Sequence, residues 1–237
     1  MGKIVGLSRM IKPAWLDKTV EYLLQDEDNV SIKAKLDDYL SYEIKSPTNL
    51  RKTRDILLNI WVKSKETAPM IHKIAIDAYS GGRSDKMGLN WAMILLAYPV
   101  FSDVACRVGK LSMIQDTFAS SWLKEKLTEE WGDRTTLLYS CEKILQTLKA
   151  LGAIEHRKQG VYEVKRHNVQ DECTMSVLLL CLLSLNNQAY YDVSELSGNP
   201  LFFPFEFSVT LDWLHRSPLF SLNNFGGKMV LSAGSRT

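Results

Sequence analysis

Catalytic signatures are what this chain most lacks. Its 237 residues hold no Walker loop, no G-x-G-x-x-G behind a strand, no H-E-x-x-H and no G-x-S-x-G. Ser80-Gly81-Gly82-Arg83 reads as a flexible linker rather than a phosphate cradle, and Gly226-Gly227-Lys228 as a hairpin turn. Histidine is scarce and scattered at His72, His156, His167 and His215. Only His156 and His167, with Glu155 or Glu163 beside them, fall close enough to raise a metal, and they match no ligand spacing. Glu129-Glu130 lies on a charged helix face and reads as solvated. The expectation is no enzyme, no cofactor and no metal.

Cysteine is also sparse. Cys106, Cys141, Cys173 and Cys181 form no C-x-x-C pair and read as buried free thiols of a reducing compartment. The longest apolar run, 177–185, has nine residues, less than half of the ~20 a membrane helix needs. Residues 2–10 carry Lys3 and Arg9 without an apolar core, so no secretion signal is read there. A cytoplasmic protein without a membrane partner is expected. The net charge is only +2, so a polyanion would have to be met by local patches.

What is present is helical periodicity. Trp15, Val20, Leu23 and Leu24 predict a helix over 14–25, and Ile32, Leu36, Tyr39 and Leu40 a second, capped by Ser31. Ser46-Pro47 stops it, and Ser46 or Thr48 caps a third with Leu50, Ile56, Leu57, Ile60 and Trp61 inward. A fourth runs over 67–79 with Pro69 in its first turn. Beyond the glycine linker come a strongly apolar helix over 89–98, a break at Pro99, a helix over 100–111 and a short strand near 115–118. Past residue 168 the pattern predicts a helix over 174–185, an aromatic loop, a helix over 205–215 and a hairpin turning at 223–227.

Residues 120–167 carry the clearest signal. A helix over 120–131, capped by Ser120 or Ser121, stacks Trp122, Leu123, Leu127 and Trp131 and ends at Gly132. Asp133 caps the next, which gathers Leu138, Cys141, Ile144, Leu145, Leu148 and Leu151 on one side. Two apolar strands follow, around a basic turn. This is winged-helix order. The predicted fold is mainly α: an N-terminal helical bundle (1–82), a winged helix-turn-helix (83–168) and a C-terminal helix and hairpin part (169–237), whose order allows a second winged helix.

The face opposite the apolar stripe holds Thr135, Tyr139, Lys143 and Gln146, with Thr136 in the first turn and Arg134 at the positive helix end. Such donors suit base edges and phosphates in a major groove. Arg157 and Lys158 in the turn, with Lys165 and Arg166 after it, form a basic wing suited to a phosphate backbone. A solvated helix face and a solubilising charge cluster are the competing readings. Arg51, Lys52 and Arg54 crowd another helix start, against the macrodipole. Either a phosphate backbone or a protein contact would compensate them, and Asp26, Glu27, Asp28, Asp37 and Asp38 are the acidic counterpart.

The order DNVSIKAKLDDYLSYEIKSPTNLRKTRDILLNIWV, then LNWAMILLAYPVFSDVACRV, then DRTTLLYSCEKILQTLKALGAI resembles the BrxA-like proteins of BREX phage-exclusion systems, over residues 12–154. The resemblance implies a small helical protein with a winged-helix-like part, binding double-stranded DNA beside other proteins of a defence complex. It carries no catalytic residues. Two alternatives stand beside it. One is a protein-interaction scaffold, with the aromatic loop Leu201-Phe202-Phe203-Pro204-Phe205 either exposed as an anchor or buried in the core. The other is a winged-helix transcriptional regulator reading an operator. The sequence sets no oligomeric state.

Overall fold

The computed structural model describes residues 6–25, 28–185 and 188–234. Lys3, Asp26 and Glu27, named above, lie outside them. The protein is mainly helical, as predicted. Helix α1 (Pro13–Leu24) opens on a proline, whose missing N–H costs nothing at a helix start. In α2 (Asn29–Ser41) the cap is Asp28, not Ser31: its carboxylate accepts from the backbone of Val30 and Ser31. Ser46 caps α3 (Pro47–Leu57) through the backbone N–H of Asn49. A π-helical turn, Leu58–Val62, continues it with Ile60 and Trp61 fully buried. Then come α4 (Ser64–Thr67) and α5 (Pro69–Ser80).

Asp85 accepts from the Gly88 N–H to cap α6 (Lys86–Ala97), and Pro99 opens α7 (Pro99–Ser112). A buried polar chain fixes the helices against one another. Trp61 Nε1 donates to Asn90 Oδ1 at 3.0 Å, and Asn90 Nδ2 and the Tyr79 hydroxyl both donate to Asp17. These contacts satisfy groups that would be costly to bury alone, and burial pushes the Tyr79 phenol pKa up.

Strand β1 (Thr117–Ala119) leads directly into α8 (Ser120–Trp131), then α9 (Thr135–Ala150), β2 (Ile154–Lys158) and β3 (Val161–Val164). The strands form an antiparallel sheet in the order β1-β3-β2. Neither Ser120 nor Ser121 caps α8: Ala119 holds the cap position and the Ser120 N–H is taken by Gly160 O of the hairpin. Asp133 likewise caps nothing. Residues 132–134 are all non-helical, which moves the start of α9 to Thr135 with Arg134 at the cap position.

Strand β4 (His167–Asn168) is followed by α10 (Glu172–Leu185), β5 (Tyr191–Asp192), β6 (Phe205–Glu206), α11 (Leu211–Arg216), β7 (Phe220–Phe225) and β8 (Lys228–Ala233). β4 pairs in parallel with β6, and β5, β8 and β7 make a second antiparallel sheet in that order. The predicted helix over 205–215 is only α11. Phe205 and Phe207 alternate into the core as extended chain, and helix starts only after Thr210, whose hydroxyl accepts from the Trp213 N–H.

Helices α6 and α10 are apolar on nearly all sides and lie buried at the centre. Among the described residues no single helix is long and apolar enough to cross a membrane; α6 and α7 pass by length and composition only as a pair bent by 119°. The aromatic loop is core: Trp91 of α6 packs edge-on against Phe203 and Phe205 and donates to Leu201 O at 2.9 Å. One hydrophobic cluster runs from Leu7 to Leu231, through helices on both sides of residues 82 and 168. Backbone meets backbone at Gly109 of α7, where a Cβ would lie 2.0 Å from Pro200 O.

Candidate nucleic-acid interface

Helix α9 packs Leu137, Cys141, Ile144, Leu145 and Leu148 inward, so Leu137 takes the place expected of Leu138, which is only half-buried. Ser140 and Thr147 are buried too, because residues 6–11 cover that flank. The Ile11 N–H donates to Thr147 Oγ1 at 3.0 Å. Thr135, Thr136, Tyr139 and Gln146 remain exposed, and Lys143 is half-exposed. Lys143 lies over the Tyr139 ring at 5.2 Å and donates to Gln146 Oε1. Lys149, not anticipated above, is also exposed, one turn along the same face. The acid of this face, Glu142, is drawn to Lys124 of α8 at 2.6 Å, and that hydrogen bond holds its carboxyl below the usual range.

At the N-terminal end of α9 the fold closes a cleft of about 600 Å³ that no local pattern announces. Arg9 comes from the chain start, Lys52 from α3, and Arg134, Thr135, Thr136 and Tyr139 from the start of α9. Arg9 is anchored on both sides: Nε donates to Asn49 Oδ1 at 3.1 Å, and the guanidinium sits 5.9 Å from the Tyr139 ring centre. Among the described residues the lining contains no carboxylate. The first N–H groups of α9, which lack intrahelical partners, add a positive helix end to these cations. The arrangement suits an anion with several oxygens.

The other expected contacts divide. Lys52 is exposed and in the cleft, and Arg51 is exposed with Asp55 at 3.9 Å. Arg54 is not a surface cation. Its side chain is 8% exposed, and the guanidinium bonds Asp37 at 2.6 Å and Asp55 at 2.8 Å. Arg51 and Lys52 lie in the middle of α3 and Arg54 in its last turn, where the macrodipole favours a cation, so the crowding expected at a helix start does not arise. The two carboxylates hold the buried Arg54 guanidinium inward.

The β2–β3 hairpin is less basic than its sequence. Arg157 pairs with Glu163, and Lys165 with Glu155 at 2.7 Å and Glu163 at 3.7 Å. Arg166 turns back to the body, donating to the backbone carbonyls of Phe203 and Ser112. Lys158 stands exposed at the turn. His156 lies edge-on to Tyr162, while His167 is bonded to Gly152 O at 2.9 Å. Among the described residues no three His, Cys, Asp or Glu side chains gather as metal ligands.

All four cysteines are free, but only Cys141 and Cys181 are buried; Cys106 is half-buried and Cys173 exposed. Burial pushes the Cys141 thiol up to about 12, which keeps it inert. Compared with models of protein families, with curated proteins and with solved structures, the chain matches none of them.

Proposed function

We propose that this protein is a non-catalytic, double-stranded-DNA-binding accessory protein of a bacterial phage-defence or DNA-modification system, working in the cytoplasm beside other proteins of a complex. In this reading β1, α8, α9, β2 and β3 are a winged helix, with α9 in the major groove and Lys158 on the backbone. The strand order β1-β3-β2 supports it. The defence context rests on the resemblance to BrxA-like proteins alone. The observation that carries DNA binding is the cleft, with no acid among its described residues, that joins Arg9, Lys52 and Arg134 at the start of an exposed polar helix face. Phosphate contacts there would fix the depth of α9 in the groove, and Tyr139, Lys143, Gln146 and Lys149 would meet base edges or further phosphates.

The test is fluorescence anisotropy on a short random duplex between about 50 and about 200 mM salt. Binding is expected to fall steeply with salt. Arg9→Ala, Lys52→Ala and Arg134→Ala together should weaken it at least about thirtyfold and lower the salt slope by two to three, as three phosphate contacts require. Equal affinity and slope in the triple variant would remove the proposal.

A protein-interaction scaffold is the second reading, favoured by the ion pairs that neutralise most of the wing. It is distinguished by co-purification with a partner and no duplex binding at low salt. A transcriptional regulator would show one protected operator in a footprint where the accessory protein shows none.

A further inference from the structure

The second sheet ends in different chemistry. Asn224, Phe225 and Lys228 flank a turn through Gly226 and Gly227, at φ 60° and 81°. Two consecutive left-handed residues make the tight turn that glycine alone takes without strain. The turn holds Phe225 out in solvent, 62% exposed, with its ring 5.3 Å from that of Tyr190, which is 44% exposed. Scattered exposed aromatics are ordinary, but two touching rings over a groove of about 610 Å³ are a patch. The groove is floored by Tyr191 and bounded by Asp192, Glu195 and Lys228.

Two carboxylates thus face one ammonium. Asp192 is committed on both sides: Ser194 donates to Oδ1 through its hydroxyl and its backbone, and Lys228 reaches Oδ2 at 2.9 Å. These bonds pull the Asp192 carboxyl down to about 2, so it stays ionised at any working pH. Glu195 lies exposed beside them. Among the described lining residues Lys228 is the one cation; it is hydrogen-bonded to Asp192 and is also drawn to Glu195, so two carboxylates share one ammonium and the groove stays negative. A phosphate backbone entering here would meet two carboxylates and the aromatic faces, against one ammonium already hydrogen-bonded to Asp192. A guanidinium or ammonium would meet two π-faces, attractive to cations, and a carboxylate.

We propose that the groove between Tyr190 and Phe225 is a docking site for an arginine or lysine side chain carried on an exposed segment of a partner protein. The cation lies against the two rings with its charge toward Glu195, and the partner backbone passes over Gly226 and Gly227, where no side chain obstructs it. The site is independent of the proposed DNA contact. It would let the protein hold duplex and partner at once.

The test is a titration of the 15N-labelled full chain with a blocked glycine–serine peptide carrying one central arginine, followed by amide chemical shifts. The expected result is saturable shifts at Tyr190, Tyr191, Gly226 and Gly227 with a millimolar dissociation constant. The same peptide with neutral citrulline should leave them unmoved, and Phe225→Ala should weaken binding at least fivefold. Because Phe225 is exposed, that variant should keep its other resonances. No shift, equal shifts from the citrulline peptide, unchanged binding by the Phe225→Ala chain, or shifts at these amides on adding duplex DNA instead would each overturn the proposal.

Discussion

Two sheets in this molecule are wired alike. In each, a short strand pairs with the last strand of a later hairpin, giving the orders β1-β3-β2 and β5-β8-β7. Between strand and hairpin the first sheet has two full helices, α8 and α9; the second has only short turns, β6 and the six-residue α11. The exposed ends differ as much. At the start of α9, which precedes the first hairpin, Arg9, Lys52 and Arg134 line a cleft with no acid among the described residues. Beside the second, two aromatic rings stand over Asp192 and Glu195. Connectivity does not choose a ligand; the side chains placed at its ends do.

One of the places where the chain beyond residue 168 is held to the helices before it is α7 against the turn Pro200–Phe202. Gly109→Ala would press a methyl into Pro200 O. Neither backbone can yield easily, so this change should have the largest effect, a loss of about 3 kcal/mol or more in urea unfolding. A loss below about 1 kcal/mol would mean that the turn Pro200–Phe202 gives way without disturbing the core.

Arg54 and Lys52 are two residues apart and should behave oppositely. Arg54→Ala leaves Asp37 without its partner and Asp55 with only Arg51, and should cost about 2–3 kcal/mol, less than a fully buried pair because both acids keep some solvent. DNA affinity per folded molecule should stay as it was. Lys52→Ala should change stability by less than about 0.5 kcal/mol and weaken DNA binding about fivefold, as one lost phosphate contact. The reverse pattern would break the distinction.

The β2–β3 hairpin offers a gain. Glu155→Gln with Glu163→Gln releases Arg157 and Lys165 from their ion pairs. Affinity for duplex should then rise about three- to tenfold at low salt, and the rise should shrink as salt screens it. The same change should leave the arginine-peptide titration untouched.

The smallest effect lies outside both sheets. His72 of α5 is buried with Nδ1 2.9 Å from Ser64 Oγ, and burial lowers its pKa. The fold therefore keeps it neutral, while the unfolded chain takes up a proton below pH ~6.5. Stability should decline as pH falls below that value, and His72→Gln should flatten that part of the curve. A slope unchanged in the variant would assign it to other groups.

Much of the helical order was legible because its signals are local. Ser46, Pro69, Pro99 and Gly132 stop and start helices within one turn of their own position, and hairpins announce themselves through Gly160 and Gly226-Gly227. Caps were less readable where polar residues compete: Asp28 displaced Ser31, and Ala119 stands at the cap of α8 in place of Ser120, whose own N–H is bonded to the hairpin carbonyl of Gly160. The site was half legible. The exposed face of α9 follows from 3.6-residue spacing, though residues 6–11 cover its flank. Arg9 joins it from 130 residues away through Tyr139, a meeting no spacing encodes. Charge counts misled for the same reason. Arg54, Arg157 and Lys165 are cations in sequence, but their partners, Asp37, Glu163 and Glu155, become neighbours only when helices pack and strands pair.

The most direct test of the division between the two sheets is hydrogen–deuterium exchange of the full chain with and without a short duplex at low salt. Protection is expected over 6–11, 135–149 and the hairpin turn at 157–160, with none over 188–195 or 224–228. Protection confined to the C-terminal hairpin, or absent from α9 while the duplex is bound, would contradict it.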